Sequence, residues 1–316
     1  MSVTRYRDAG LFLLLAAVWG AAFVAIKAGL GTPASPAGFF DTPVLFAAFR
    51  FDVAGVVMLG YALWAADDPV PRGRQAWAAV GVGAVFVIAA YHGLLFVGET
   101  DPGVTSAAAA VIVGLNPVLT TGFSRLLLPG ASLSRLGAVG LFVGAAGAVV
   151  LANPDPSNLL SGGVVAKLLV FAAVTAFALG SVVTERVDAG VESETLEAWA
   201  MLGGAGLLHL AAFGVGERVA AVEWDPAAVW SLAFLSVVAS GFGFLVYFTL
   251  LDRLGSVEIN LVSYVVPPVA AVVGWLLLGE RPTAATVVGF LLIVVGFALL
   301  KRRALLAALD RVDREY

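Results

Sequence analysis

Residues 240–300 read SGFGFLVYFTLLDRLGSVEINLVSYVVPPVAAVVGWLLLGERPTAATVVGFLLIVVGFALL. Three apolar blocks are separated by two short polar breaks, Asp252-Arg253 and Glu280-Arg281-Pro282. A helix of about 20 apolar residues crosses the ~30 Å hydrocarbon core of a bilayer, and the later blocks reach that length. The same plan recurs over 87–151. Setting Pro117 on Pro267 brings Leu126-Leu127-Leu128 onto Leu276-Leu277-Leu278. A slip of one residue then sets Gly140 on Gly289 and Gly147 on Gly296. An internal repeat on this scale has to be recognised before the fold is assigned.

Composition agrees with a membrane reading. The chain is 60% hydrophobic and 13% charged, with mean hydropathy +0.98, whereas a soluble domain carries roughly 25% charged residues. With no cysteine, disulfides and thiolate metal sites are excluded. A net charge of −4 makes nucleic acid an unsuitable partner. An acidic chain with only three lysines suits a high-salt cytoplasm, and a GC-rich genome gives the same bias. The run 11–30 exceeds the ~7–15 residues of a signal-peptide core, and no exported soluble domain follows it, so it reads as a first spanning helix.

Apolar runs punctuated by Gly, Pro or charge predict an all-α integral membrane protein of about ten transmembrane helices, near 11–30, 43–64, 77–97, 103–124, 134–152, 163–184, 195–214, 227–251, 256–278 and 283–300. Lys and Arg concentrate in cytoplasmic loops. Arg5, Arg7, Arg72, Arg74, Arg125, Arg135, Arg186, Arg253 and Lys301-Arg302-Arg303 fall on one side of such a bundle, against Arg218 and Arg281 on the other. Both termini are therefore expected in the cytoplasm, in a multi-pass plasma-membrane protein. Five crossings per half invert the second half relative to the first, a common build for secondary transporters. The expected units are a first repeat over 1–153, a second over 163–300, and a cytoplasmic tail over 301–316, the tail being a basic anchor or a short interfacial helix.

Trp19-Gly20, Arg50, the block 106–117, Ser263-Tyr264 with Pro267, and Leu278-Gly279-Glu280 before Thr283 resemble the EamA family of the drug/metabolite transporter superfamily. The resemblance covers nearly the whole chain, twice. It implies ten helices in two EamA repeats, a central cavity, and export or exchange of small metabolites. Two departures stand out: Pro129-Gly130 where the second half has Gly279-Glu280, and Val266 before Pro267 where many members carry an acidic residue.

Polar side chains inside a bilayer are costly and usually face the bundle interior or a watery cavity. Arg50, flanked by Phe49 and Phe51, would cost about 2.5–3.5 kcal/mol at mid-depth unless paired or snorkelled. It reads as a gate or anion clamp, or else as a structural ion pair or snorkel. Asp52 lies on nearly the opposite helical face and is not its partner. His92, beside Tyr91, reads either as a cavity group able to carry a proton or as a helix–helix contact; His209 reads as structural. Asn116 precedes Pro117, and Pro267-Pro268 occupy the matching point of the second half. Prolines there are expected to kink the helices and free backbone carbonyls near a site. Tyr247, Tyr264 and Trp19 lie too deep for an interfacial belt. The candidate solute-binding set is thus Trp19, Arg50, Tyr91, His92, Asn116, Tyr247 and Tyr264, with helix kinks at Pro117, Pro267 and Pro268. Glu280 is expected to cap the last helix, Glu258 with Asn260 to start the ninth, and Lys27 and Lys167 to snorkel. Gly137, Gly140, Gly144 and Gly147 form a smooth packing face.

No HExxH, P-loop, GxSxG or metal-ligand cluster is present, so no enzyme activity, cofactor or metal is expected. The expected function is secondary transport of small organic metabolites, amino-acid-like or amphipathic, by alternating access. The alternative is a non-transporting scaffold or sensor with the same fold. The expected partners are the solute and the lipid bilayer, with proton coupling through His92, and a homodimer, as further options; uncoupled efflux needs no titrating residue. Reporter fusions check the topology. A fusion after Lys301 is expected to report the cytoplasmic side, and a reporter found outside would reverse the orientation argument.

Overall fold

The computed structural model describes residues 3–128, 134–152, 162–254, 259, 261–300 and 302. Eight long helices are apolar enough to cross a membrane: α1 (Val3–Leu30), α2 (Pro43–Ala65), α3 (Gly73–Glu99), α4 (Ser106–Leu127), α5 (Arg135–Ala152), α6 (Gly162–Val187), α7 (Ser193–Gly214) and α8 (Pro226–Leu251). Two more, α9 (Val262–Leu278) and α10 (Ala284–Leu300), have 17 residues each, which is about 26 Å of helix. The molecule is an all-α membrane protein. Its only described strands, β1 (Gly31–Thr32) and β2 (Ser35–Pro36), pair antiparallel in a small hairpin after α1. Glu258, Asn260 and the tail beyond Arg302 lie outside the described residues.

Helix ends follow capping chemistry. Thr105 Oγ1 accepts from the Ala108 N–H at 3.2 Å, and Asp225 Oδ1 from the Ala228 N–H at 2.7 Å, each closing one of the four open N–H groups of a helix start. Pro43 and Pro226 lie in first turns, where a missing N–H costs nothing. Gly279, at φ 67°, ends α9 in the left-handed conformation. The helix α2 is capped from a distance: Glu217, beyond α7, accepts from the Val44 and Leu45 N–H groups at 3.1 and 2.7 Å. Burial raises the Glu217 carboxyl above its usual range, and these two bonds pull it back.

Glu280 does not cap α10. Its Oε2 accepts from the Ser106 N–H at 3.0 Å and so caps α4 in the other half of the chain. Thr283 caps α10 instead, its Oγ1 accepting from Thr286 at 3.1 Å. A carboxylate favours any nearby helix N-terminus, and the turn at Gly279 carries Glu280 back over the bundle toward α4.

Two helices contain a wider π-helical stretch, Gly83–Ala90 in α3 and Phe234–Phe242 in α8. These occupy matching places, the third crossing of each half. The helix α4 is broken at Gly114 and Leu115 into Ser106–Val113 and Asn116–Leu127. Pro117 therefore opens a new helix rather than kinking a continuous one, while Pro267 and Pro268 lie inside an unbroken α9.

The helices α5 and α10 pack backbone to backbone. A Cβ built on Gly147 would stand 2.8 Å from the Gly289 carbonyl oxygen, and one on Gly289 would stand 2.8 Å from that of Gly147. Gly140 meets Gly296 in the same way. Gly140 and Gly289 hold matching places in the two halves, as do Gly147 and Gly296, yet the contacts are crossed, as a two-fold relation between halves would have them. Without apolar solvent exclusion to drive association, close packing through small residues is what holds such a pair. Gly147→Leu is expected to cost about 1–3 kcal/mol through overpacking. Gly60→Ala, at an exposed site with open space around it, is expected to be neutral or slightly stabilising. Thermal denaturation in detergent followed by tryptophan fluorescence checks both; equal midpoints for the two variants would contradict the packing account.

Candidate functional site

A cavity of about 370 Å³ lies at the centre of the bundle, lined from both halves. Trp19, Arg50, Tyr91, His92, Asn116 and Tyr247 all line it. Tyr264 does not. On α9, Val262, Ser263 and Val266 face the cavity, and Tyr264, about 100° further round from Ser263, packs its ring at a tilt against Phe297 at 4.6 Å. Its hydroxyl is buried without a hydrogen-bond partner. The three prolines lie outside the lining, but their neighbours Gly114, Asn116 and Val266 are in it.

Trp19 donates from Nε1 to the Ala239 carbonyl at 3.1 Å. That carbonyl belongs to the π-helical stretch of α8. Gly243 makes the approach feasible, because a Cβ there would stand 2.8 Å from Trp19 Nε1. The Trp19 ring also meets Phe244 and Tyr247, with centroids at 6.0 and 5.6 Å. One wall of the cavity is thus aromatic and held in place by a backbone bond.

Arg50 is buried, and its Nε donates to Ser240 Oγ at 3.2 Å. The guanidinium lies over the Phe51 and Phe96 rings, at 5.1 and 5.9 Å. Among the described residues it forms no ion pair, so the ion-pair reading of the sequence fails, as does the snorkel. Serine and two ring faces hold the charge at depth, where cation–π attraction strengthens with desolvation. Asp52 pairs with His209 Nε2 at 2.8 Å, apart from the cavity.

His92 turns Nδ1 toward the Ile88 carbonyl at 3.2 Å. Its ring is boxed by Phe51 at 4.3 Å, Tyr91 at 4.4 Å and Phe96 at 6.4 Å. The charged group beside it is Arg50. Among the described residues no carboxylate pairs with His92, so a proton held there would depend on the solute for an opposite charge. Tyr91 extends the aromatic wall to Phe177 at 5.1 Å, and Asn116 Oδ1 accepts from the Thr120 hydroxyl at 3.1 Å.

Sequence reading passed over Glu197, Ser181, Thr184, Phe177 and Phe244, all of which line the cavity. Glu197 falls in the first turn of the helix expected at 195–214, where a carboxylate reads as a solvated cap. The helix α7 begins at Ser193, which puts Glu197 in the second turn with its side chain inward. The run Glu192, Glu194, Glu197 held the signal, since only Glu197 shares a helical face with the apolar Ala200 and Met201 (i+3, i+4). Arg50 and Glu197 therefore face one cavity from different depths.

The cavity reaches the last turn of α6 at Thr184 and the second turn of α7 at Glu197. Asp8, in the first turns of α1, lies on this face, where Arg253 Nη1 meets its Oδ1 at 2.9 Å. The opposite face is closed by the hairpin, by Phe39 stacked on Phe46 at 4.2 Å, and by Trp224 against Phe39 at 5.5 Å. Lys27 does not snorkel there. It is buried, and donates to the carbonyls of Glu99, Asp101 and Val104 at 2.7, 2.8 and 3.1 Å. Lys167 reaches the Ala152 carbonyl at 3.3 Å. Among the described residues no group of three or more His, Asp or Glu is placed to hold a metal ion.

The family model for the EamA-like transporter family matches residues 9–153 and again 165–302. "Uncharacterized transporter YvbV" of Bacillus subtilis (strain 168) is 29% identical over 286 residues, covering 90% of each chain. "Probable terminal-alkyne amino-acid exporter" of Streptantibioticus cattleyicolor is 29% identical over 300 residues, covering 93% of each. A solved structure, "Crystal structure of protein", superposes with a TM-score of 0.63 at 23% identity, over 95% of this chain and 99% of that one, and shows the same fold. The chain belongs to the EamA-like transporter family.

Proposed function

We propose that the protein is a secondary transporter that exports or exchanges small amphipathic metabolites carrying both charges, amino acids above all, by alternating access through the central cavity. The observation that carries this reading is the pairing of Arg50 and Glu197 in one aromatic-walled space. A guanidinium has five N–H donors in a planar fork suited to a carboxylate; only Nε is engaged, by Ser240. Glu197 offers an acceptor for an ammonium group at the other end. Trp19, Tyr91, Phe177, Phe244 and Tyr247 supply ring faces for an apolar side chain. The relative named as a probable amino-acid exporter agrees with this solute class. A cavity that reaches one face while the other is closed is one of the two states that alternating access requires. The Lys/Arg asymmetry supports a cytoplasmic orientation of the reached face, in a protein of the plasma membrane on this reading.

Counterflow into liposomes containing the purified chain tests the proposal. Apolar and aromatic amino acids are expected to accumulate against unlabelled internal solute. Arg50→Gln removes a charge-assisted bond of about 1.5–3 kcal/mol and should weaken apparent affinity by roughly ten- to a hundredfold. Glu197→Gln should weaken amino acids but spare analogues lacking the amine. Absence of accumulation with every solute tested would leave a non-transporting scaffold as the reading.

A further inference from the structure

Glu99, the last residue of α3, is fully buried, and among the described residues neither carboxylate oxygen has a hydrogen-bond partner. Among the described residues no cationic nitrogen lies within ion-pair distance of it. Lys27 is close enough to feel its charge, yet an ammonium has three N–H donors, and the three bonds from Lys27 go to the carbonyls of Glu99, Asp101 and Val104. The cation beside Glu99 is saturated by the backbone that carries Glu99. The other charged groups around this point are Glu280 from the turn after α9, Arg50 from α2, Asp101 from the α3–α4 turn and, on α6, Lys167 facing Asp101; Tyr91 shares its helix. Glu280 is committed to the Ser106 N–H, and Arg50 to Ser240 and two rings. A bare carboxylate in such a place is far costlier than a carboxylic acid.

We propose that Glu99 is a proton-binding site that latches the closed end of the cavity, on the side of the hairpin and the α3–α4 turn (the loop side). With its proton on, Glu99 is neutral, Lys27 keeps its three carbonyls, and the turn 99–105 is tied to α1, as in this structure. When the O–H proton leaves to water, the carboxylate takes an N–H from Lys27. Lys27 must then give up at least one carbonyl of the turn, which frees the start of α4 from α1. Ile26 and Ala110, at that end of the cavity, sit directly beneath the turn in sequence on α1 and α4. Proton release therefore favours opening on this face and proton binding favours closure. The latch serves the transport reading above, but proton binding is read without any solute, so failure of one leaves the other standing.

Two measurements on the full chain in vesicles test this. Infrared spectra should contain a protonated-carboxyl C=O band that fades as pH rises and is absent from Glu99→Gln. If that variant does not insert, Glu99→Asp should move the band in frequency instead. The chain has no cysteine, so Ala110→Cys gives a single thiol for an impermeant maleimide added on the loop side. Labelling should quicken as pH rises, and that pH dependence should be lost, at the slow rate, when Glu99→Gln is added. A band that is unchanged in both Glu99 variants, or labelling with the same pH dependence with and without Glu99→Gln, would overturn the proposal.

Discussion

Inside hydrocarbon a polar atom has only the protein to bond with, and this constraint organises the molecule. Lys27 satisfies itself on three carbonyls, Trp19 on a carbonyl of the π-helical stretch in α8, and Arg50 on a hydroxyl and two aromatic faces. The hydrogen bonds among these join segments that are far apart in sequence. Polar groups that would be a liability singly become ties between crossings, and they fall around the cavity because that is where the bundle leaves room for them.

The number and order of the crossings were legible because apolar runs of spanning length leave little choice. The starts of α2, α5 and α10 fall within a residue of expectation at Pro43, Arg135 and Ala284. The packing role of Gly140 and Gly147 was also legible, since a row of glycines on one face has few other uses. Six cavity residues were found by asking which polar or aromatic side chains sit too deep to be cheap. Tyr264 misled that reasoning: depth does not fix the helical phase, and an aromatic ring packs as well against Phe297 as against a solute.

Glu99 and Glu197 were missed for a related reason. Both stand within a few residues of a helix end, where a carboxylate is ordinarily a solvated cap. What makes them different is the closure of other segments over them, which no local pattern encodes. The target of Glu280 is a case of the same kind. Its chemistry, a carboxylate at a helix start, was anticipated, but the helix it serves lies in the other half of the chain.

The π-helical stretches have a geometric consequence. Gly83, Val87, Tyr91 and Leu95 all line the cavity at steps of four residues along α3. In a regular α-helix such steps drift by about 40° each, so a row of four would wander off any single face. The wider turn over Gly83–Ala90 winds more slowly and offsets the drift. It keeps these four side chains on the cavity side of α3. The matching stretch in α8 stands on the other side of the space, with Ala239 in the wall. Each half thus sets a slow-winding stretch of its third crossing against the space, where regular helices would carry such rows round to other faces.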